Sequence, residues 1–432
     1  MMWILMTAEA EAEPSRPDTP IVRRHTTFGS LRTRNFRLMA AGQLVSNVGW
    51  WMQYTALNWL VLDLTGSPAA VGLTAALQFL PAVVLGMAGG LLADRFPKRR
   101  ILLVSYAGWI SMVALLAGLT LADVVQTWQV QVIAAGFGIV DALSYPARQA
   151  FITEMVGPAQ LRNAISITSS VIYLAGLTGP AIGGFLIKAV GPGWSFLTTA
   201  VLYTAPVVAL MRVRGDELYA VRPVAAARGQ LRAGLRYVVS RPDVLWPMVL
   251  VGLFAMFTGN LSVTLAVYAK SVYHSGAGGY GLLSAVVAVG SLFGALIAGR
   301  LHRTRLRTLM LFAAVLSALY MLSAAAPTQL LFCVVLLGIG VSTMLLLTSA
   351  NSTIQLAAHD SIRGRVVGVY VLVYFGSMAI GGPLLGAVDE YFGPRAGMLL
   401  AGAVPGTAIL LIATGLTIRR RRSRARLDRE LV

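Results

Sequence analysis

Long apolar runs recur along the chain, separated by short polar or Gly/Pro-containing breaks. They predict twelve helical spans at about 38–62, 69–93, 101–122, 127–147, 164–187, 194–212, 244–268, 279–299, 307–326, 329–352, 366–388 and 396–418. Each is near the roughly 20 residues an α-helix needs to cross the hydrocarbon of a bilayer. The polar positions between runs are strongly biased in sign. If the N-terminus lies inside, Arg95, Lys98, Arg99 and Arg100, the stretch from Arg212 to Arg241, then Arg300, Arg303, Arg305 and Arg307, and Arg419 to Arg422 all fall inside. Only Lys188, Lys270 and Arg395 fall outside. This positive-inside pattern predicts both termini in the cytoplasm. The organisation it implies is a tail (1–36), a six-helix bundle (37–212), a basic linker (213–243), a second six-helix bundle (244–418) and a basic tail (419–432).

Composition agrees. Hydrophobic residues make up 57% of 432 residues and charged residues 12%, about half the share in an average soluble domain. The expected class is an all-α, multi-pass protein of a cell membrane. The net charge of +18 would suggest nucleic acid in a soluble chain. Here it follows the loops, so it marks orientation and no nucleic-acid partner is expected. The lone Cys333 permits no disulfide framework. The opening MMWILM is too short for a signal-peptide core and has no basic residue before it. Residues 7–35 read as a flexible cytoplasmic tail, and the paired Met1 and Met2 leave the start codon open.

Glycine and proline positions suggest a repeat. Gly86 and Gly90 in span 2 match Gly290 and Gly294 in span 8, displaced by 204. Gly179, Pro180 and Gly183 in span 5 match Gly382, Pro383 and Gly386 in span 11, displaced by 203, and Arg162 matches Arg365. Gly-xxx-Gly spacing lets helix backbones approach closely, and each proline removes one backbone hydrogen bond and is expected to bend its helix. Two such halves in one orientation would place a binding site near the midplane between them.

These features resemble the major facilitator superfamily. The segment Gly90-Leu-Leu-Ala-Asp94-Arg95-Phe-Pro97-Lys98-Arg99-Arg100 is similar to the family's loop signature, with Pro97 where glycine is usual. GPAIGG in span 5 resembles the antiporter signature, although Ala175 and Ser166 replace further glycines. FRLMAAGQLVSNVGWWMQ and WLVLDLTGSPAAVGL look like the siderophore and multidrug exporter branch. The resemblance implies a monomeric secondary transporter working by alternating access, with a small-molecule substrate, protons and membrane lipids as partners. It also implies that a basic residue of the loop, here Lys98, meets an acid on span 4, and that Asp94 lies near the start of span 11. Val132 and Ala135 stand where proton-coupled relatives carry arginine and glutamine, so proton coupling does not carry over by analogy.

Asp141 interrupts span 4, where a carboxylate costs roughly 2.5–3.5 kcal/mol at mid-membrane. Arg148 lies seven residues on, two turns along one face. Three readings stay open for Asp141: part of a cytoplasmic ion-pair lock that also involves the loop, a titrating proton site, or a bland interfacial acid. With span 4 ending at 147, it lies near the inner surface. Asp63, Asp123 and Asp389 read as solvated caps at outer helix ends, and none of His25, His274, His302 and His359 falls mid-span or at metal-ligand spacing. The expected cavity lining is Asn47, Trp51, Tyr54 and Asn58 on span 1, Gln78 on span 2, Asn260 on span 7 and Tyr374 on span 11. Such a lining suits a bulky amphipathic or weakly charged compound. No phosphate-binding loop, HExxH or GxSxG occurs. Neither metal nor cofactor is expected, and the predicted function is export of a drug- or siderophore-like compound. The alternatives are an uptake permease of the same fold, a lipid-acting enzyme and a non-transporting sensor.

Overall fold

The computed structural model describes residues 29–219, 230–301, 304–359 and 362–430, and no strand occurs among them. Expectations for residues 1–28, Pro223, His302, Arg303 and the side chains of Arg162 and of residues after Gly415 lie outside what is described. The helices are α1 (Arg34–Thr65), α2 (Pro68–Arg95), α3 (Lys98–Leu121), α4 (Thr127–Val190), α5 (Pro192–Leu202), α6 (Thr204–Met211), α7 (Gln230–Ser240), α8 (Pro242–Thr258), α9 (Leu261–Val267), α10 (Gly276–Ala298), α11 (Leu306–Ala324), α12 (Gln329–Ala357), α13 (Arg363–Phe392) and α14 (Pro394–Glu430). A π turn, Tyr268–Val272, extends α9.

Among the described residues, eleven stretches are long and apolar enough to cross a membrane. The first predicted span, α1, is long enough at 32 residues but more polar, because it buries Asn35, Gln43, Ser46, Gln53, Thr55 and Asn58. Helix ends follow local chemistry. Gly66 takes the left-handed conformation that closes α1 (φ 65°), and the Ser67 hydroxyl accepts from the Ala70 N–H to cap α2, with Pro68 in its first turn. Gly191 (φ 91°) before Pro192 and Gly393 (φ 84°) before Pro394 make two matching one-residue turns, into α5 and α14.

Spans 4 and 5 form one assigned helix, broken in backbone conformation only at Gly157 (φ 68°, ψ 174°). The first arm therefore runs to the break at Gly157, well past the expected end at 147. Tyr219 folds back over the break: its N–H donates to the Glu154 carbonyl at 2.8 Å, and its ring covers Gly157. Pro146, Pro180 and Pro383 lie inside helical runs, and no break in backbone conformation occurs at them.

The predicted close approach of Gly86 and Gly90 is also absent, since nothing lies within 4 Å of a Cβ placed on either. Their neighbour Gly89 takes that role, against Ala142 and Leu143 of α4, and Gly138 packs on Gln78 and Pro81 of α2. In the second part of the chain, Gly290, Gly294 and Gly340 bring α10 and α12 together in the same way.

Candidate functional site

Two seams join the helices before the linker to those after it. In one, Gly382 of α13 lies against Gly72 and Ala75 of α2, and Gly386 against Pro68 and Ala69. In the other, Gly184 of α4 meets Gly281 of α10, and Lys188 lies along Gly278. The consecutive glycines explain the geometry. Gly183 faces Met52 of α1 while Gly184 faces α10, and Gly381 faces Met256 of α8 while Gly382 faces α2. The structural equivalence is thus Gly183-Gly184 with Gly381-Gly382, a displacement of 198 that differs from the 203 of the Gly-Pro pairs. A side chain at any of these glycines would hold the helices apart.

Both tight contacts lie at the end away from the basic loops. Two polar staples reinforce it. Lys270 pairs with Asp63 at 3.2 Å and donates to the Leu62 carbonyl at 3.0 Å. Glu390 accepts from the Ser67 hydroxyl and from the Ala69 N–H, so α13 caps the start of α2. Asp63 is therefore an ion-pair partner and not simply a solvated cap. Asp389 also departs from expectation. It is 3% exposed and accepts from the Thr264 hydroxyl at 2.7 Å, because α9 and the start of α14 enclose it.

Toward the basic end the seam parts. Val83 and Gly376 are still in contact, but nothing approaches a Cβ on Gly86 or Gly90 of α2, or on Gly364 or Gly368 of α13. Asp94 and Arg95 are exposed, and among the described residues Asp94 enters no ion pair. Lys98 meets an acid of the first α4 arm, as the family resemblance implies, but the acid is Glu154 (2.8 Å) and not Asp141. The reason is reach: the unexpected extension of the arm carries Glu154 beside the loop, while Asp141 is 13 residues, about 20 Å, farther up the helix. Arg99 donates to the Met211 carbonyl at 3.1 Å.

Asp141 lies about 21 Å from Thr127 and about 24 Å from the break at Gly157 along the arm, so it is far from either end of the arm. Arg148 donates to it at 3.4 Å and to the Ser144 hydroxyl at 3.3 Å, and its guanidinium lies 5.1 Å from the Trp109 ring centroid. The Asp141 and Arg148 side chains are partly exposed, at 31% and 24%. Trp50 of α1 lies near the same carboxylate. Both charges sit on one helix. Such a pair does not tie together two elements that separate, which weakens the lock reading.

At the same depth an aromatic chain links α1, α2 and α13. Trp50 stacks on Tyr54 (5.4 Å between centroids), Tyr54 meets Phe79, Phe79 stacks on Phe375 (6.1 Å), and Tyr374 lies against both Phe375 and Tyr370. The expected cavity residues divide around it. Asn47, Trp51 and Tyr374 are partly exposed, whereas Tyr54, Asn58, Gln78 and Asn260 are buried. Asn47 donates to the Gln43 carbonyl of its own helix. Asn58 donates to the Ser262 hydroxyl, which donates to Tyr54. Asn260 donates to the Met256 and Met378 carbonyls, tying α8 to α13. Asn58 and Asn260 therefore staple helices, while Gln78 is buried with neither amide atom bonded. Trp50, Phe79, Phe375 and Tyr370 were not anticipated, since a lone aromatic in an apolar run carries no sign of its facing.

The family model described as "Transmembrane secretion effector" matches residues 25–429. The chain is 26% identical to the enterobactin exporter EntS of Citrobacter koseri, over 87% of this chain and 91% of that protein. It is equally similar to the multidrug efflux pump Tap of Mycobacterium tuberculosis, over 88% and 91%. An uncharacterized MFS-type transporter, YfiS of Bacillus subtilis, is 27% identical over 61% of this chain, and the match spans 63% of that protein's length. Among solved structures, a bacterial homolog of the human lysosomal transporter Spinster, inward-facing and unoccupied, superposes with a TM-score of 0.66 at 14% identity, over 88% of this chain and 94% of that one. The helical seams, the loop segment from Gly90 to Arg100 and these matches agree: the chain belongs to the transmembrane secretion effector family of major facilitator transporters.

Proposed function

We propose that this transporter exports a small amphipathic organic compound by alternating access, and that the present conformation is open to the cytoplasm. The observation that carries this reading is the pair of seams, pressed backbone to backbone at one end while α2 and α13 part at the other. The basic loops assign the open end to the cytoplasm by the positive-inside bias, with both termini there. The six helices before the linker and those after it would rock as two bundles about the aromatic centre. The names of the exporter relatives support the outward direction. Partly exposed Trp51, Tyr374 and Asn47 offer ring faces and one amide, a lining for a substrate with flat apolar parts and few charges.

Asp141 is the residue we assign to proton coupling. Its carboxylate is partly exposed, lies mid-helix and is paired with Arg148. Protonation removes one charge of the pair and frees the guanidinium, a change a bistable pair of bundles can read. A growth-inhibition panel of toxic compounds in an efflux-deficient host tests export. Protection by the wild-type chain but not by Asp141→Asn is expected, whereas protection by neither counts against export. Vesicles of known orientation loaded with a fluorescent substrate separate export from uptake.

A further inference from the structure

We infer that α7 is a docking surface for the anionic phospholipid headgroups of the bilayer leaflet at the basic end. One face of this helix is occupied. Gly234 lies against the Arg365 carbonyl and Val369 of α13, Val238 is buried, and the Tyr237 hydroxyl donates to the Ala357 carbonyl at the end of α12. The opposite face is exposed and has two components. Leu235 (52% exposed) and Val239 (61%) form an aliphatic pair at i, i+4, and Arg232 and Arg236 form a cationic pair beside them at the same spacing. Among the described residues, neither arginine enters an ion pair. The nearby Arg241 is different, being already paired with Asp243 at 3.2 Å.

Depth and charge select the occupant. The helix touches the last residue of α12 and the first turn of α13, so it sits where those spans leave the hydrocarbon. A helix at that level, with aliphatic side chains beside arginines, lies in the interface with its apolar side toward acyl chains and its guanidinium groups at the phosphates. No acid lies on the exposed stripe to repel them. Because α7 is packed on the parted end of α13, lipid bound there also holds that end of the seam.

The test uses the full chain in nanodiscs, of phosphatidylcholine alone or with a minor share of phosphatidylglycerol. Retention of phosphatidylglycerol against phosphatidylcholine is read by native mass spectrometry. Arg232→Gln/Arg236→Gln should lower the preference about fivefold per arginine, the equivalent of about 1 kcal/mol each. Arg305→Gln/Arg307→Gln, two exposed arginines at the start of α11 at the same end, should leave most of it. Equal loss in both variants, or no loss in the first, overturns the inference. A second readout does not depend on charge: a fluorophore on Val239→Cys, in a Cys333→Ser background, should be quenched by lipids brominated near the headgroup. Quenching only by a water-soluble agent would place α7 in solvent and overturn the proposal, including the case in which a soluble protein is the true partner.

Discussion

At the end away from the basic loops, glycines of α2 and α13 bring backbone against backbone. At the basic end, glycines of the same two helices face open space. The residue type and the two helices are shared, so glycine content permits close approach without deciding where it happens. What differs is the polar chemistry around the contact. The pressed end carries the Lys270–Asp63 pair and the Glu390 cap on α2, while at the open end Lys98 pairs with Glu154 within the first six spans. Cross-seam polar contacts accompany the closed end, and among the described residues no ion pair joins the basic loop to α13.

The sharpest way to break this contrast is to add bulk at each end. Gly72→Leu places a side chain against the Gly382 backbone, where overpacking costs about 1–3 kcal/mol and must part the seam. Transport should fall at least tenfold, and cysteine-accessibility labelling should report the outer end opened. Gly86→Leu, with open space around it in this conformation, should leave outer-end labelling at the wild-type level; an equal rise would refute the contrast. Asp141→Asn comes next. It leaves Arg148 without its counter-ion, at about 1–2 kcal/mol once the known cost of splitting a buried pair is discounted for partial exposure. Coupled efflux should lose its response to an imposed pH gradient while expression holds. A retained response removes Asp141 from the coupling role.

Lys98→Ala should have a smaller effect. Its partner Glu154 lies near the loop, and both are mostly shielded, so a loss of about 1 kcal/mol is expected, read as a few degrees in thermal melting of detergent-solubilised protein. The mildest change is Asp63→Asn. The pair with Lys270 is largely exposed and is worth about 0–1 kcal/mol, yet it lies across the closed seam. Outer-end labelling should rise up to about fivefold, and high salt should produce the same rise in the wild-type chain.

Much of the fold was legible because lipid leaves few options. Twenty-residue apolar runs become helices, and basic loops report one face. The Gly-Pro turns before α5 and α14 could have been read as a further repeat, since both glycines need positive φ and both prolines open a helix. The site was less legible. Asn260 and Asn58 look like cavity amides in sequence, but they bind carbonyls and hydroxyls of neighbouring helices. Period alone does not tell a face turned to a cavity from one turned to another helix. The identity of the Lys98 partner was not legible because the helical arm continues thirteen residues past Asp141 to Glu154, where flanking charge hides its continuity.

The sequence by itself determined the class, the number of apolar runs, their charge bias and the small residues available for close packing. These depend on transfer from water to lipid and on backbone sterics, which are local properties of each segment. Only the tertiary structure decided which glycines touch, that Lys98 answers to Glu154, that Asp389 is enclosed, and which end of the seam is open. Those outcomes depend on where helices distant in sequence come to rest against each other, and a helical period gives the spacing of a face but not its neighbour.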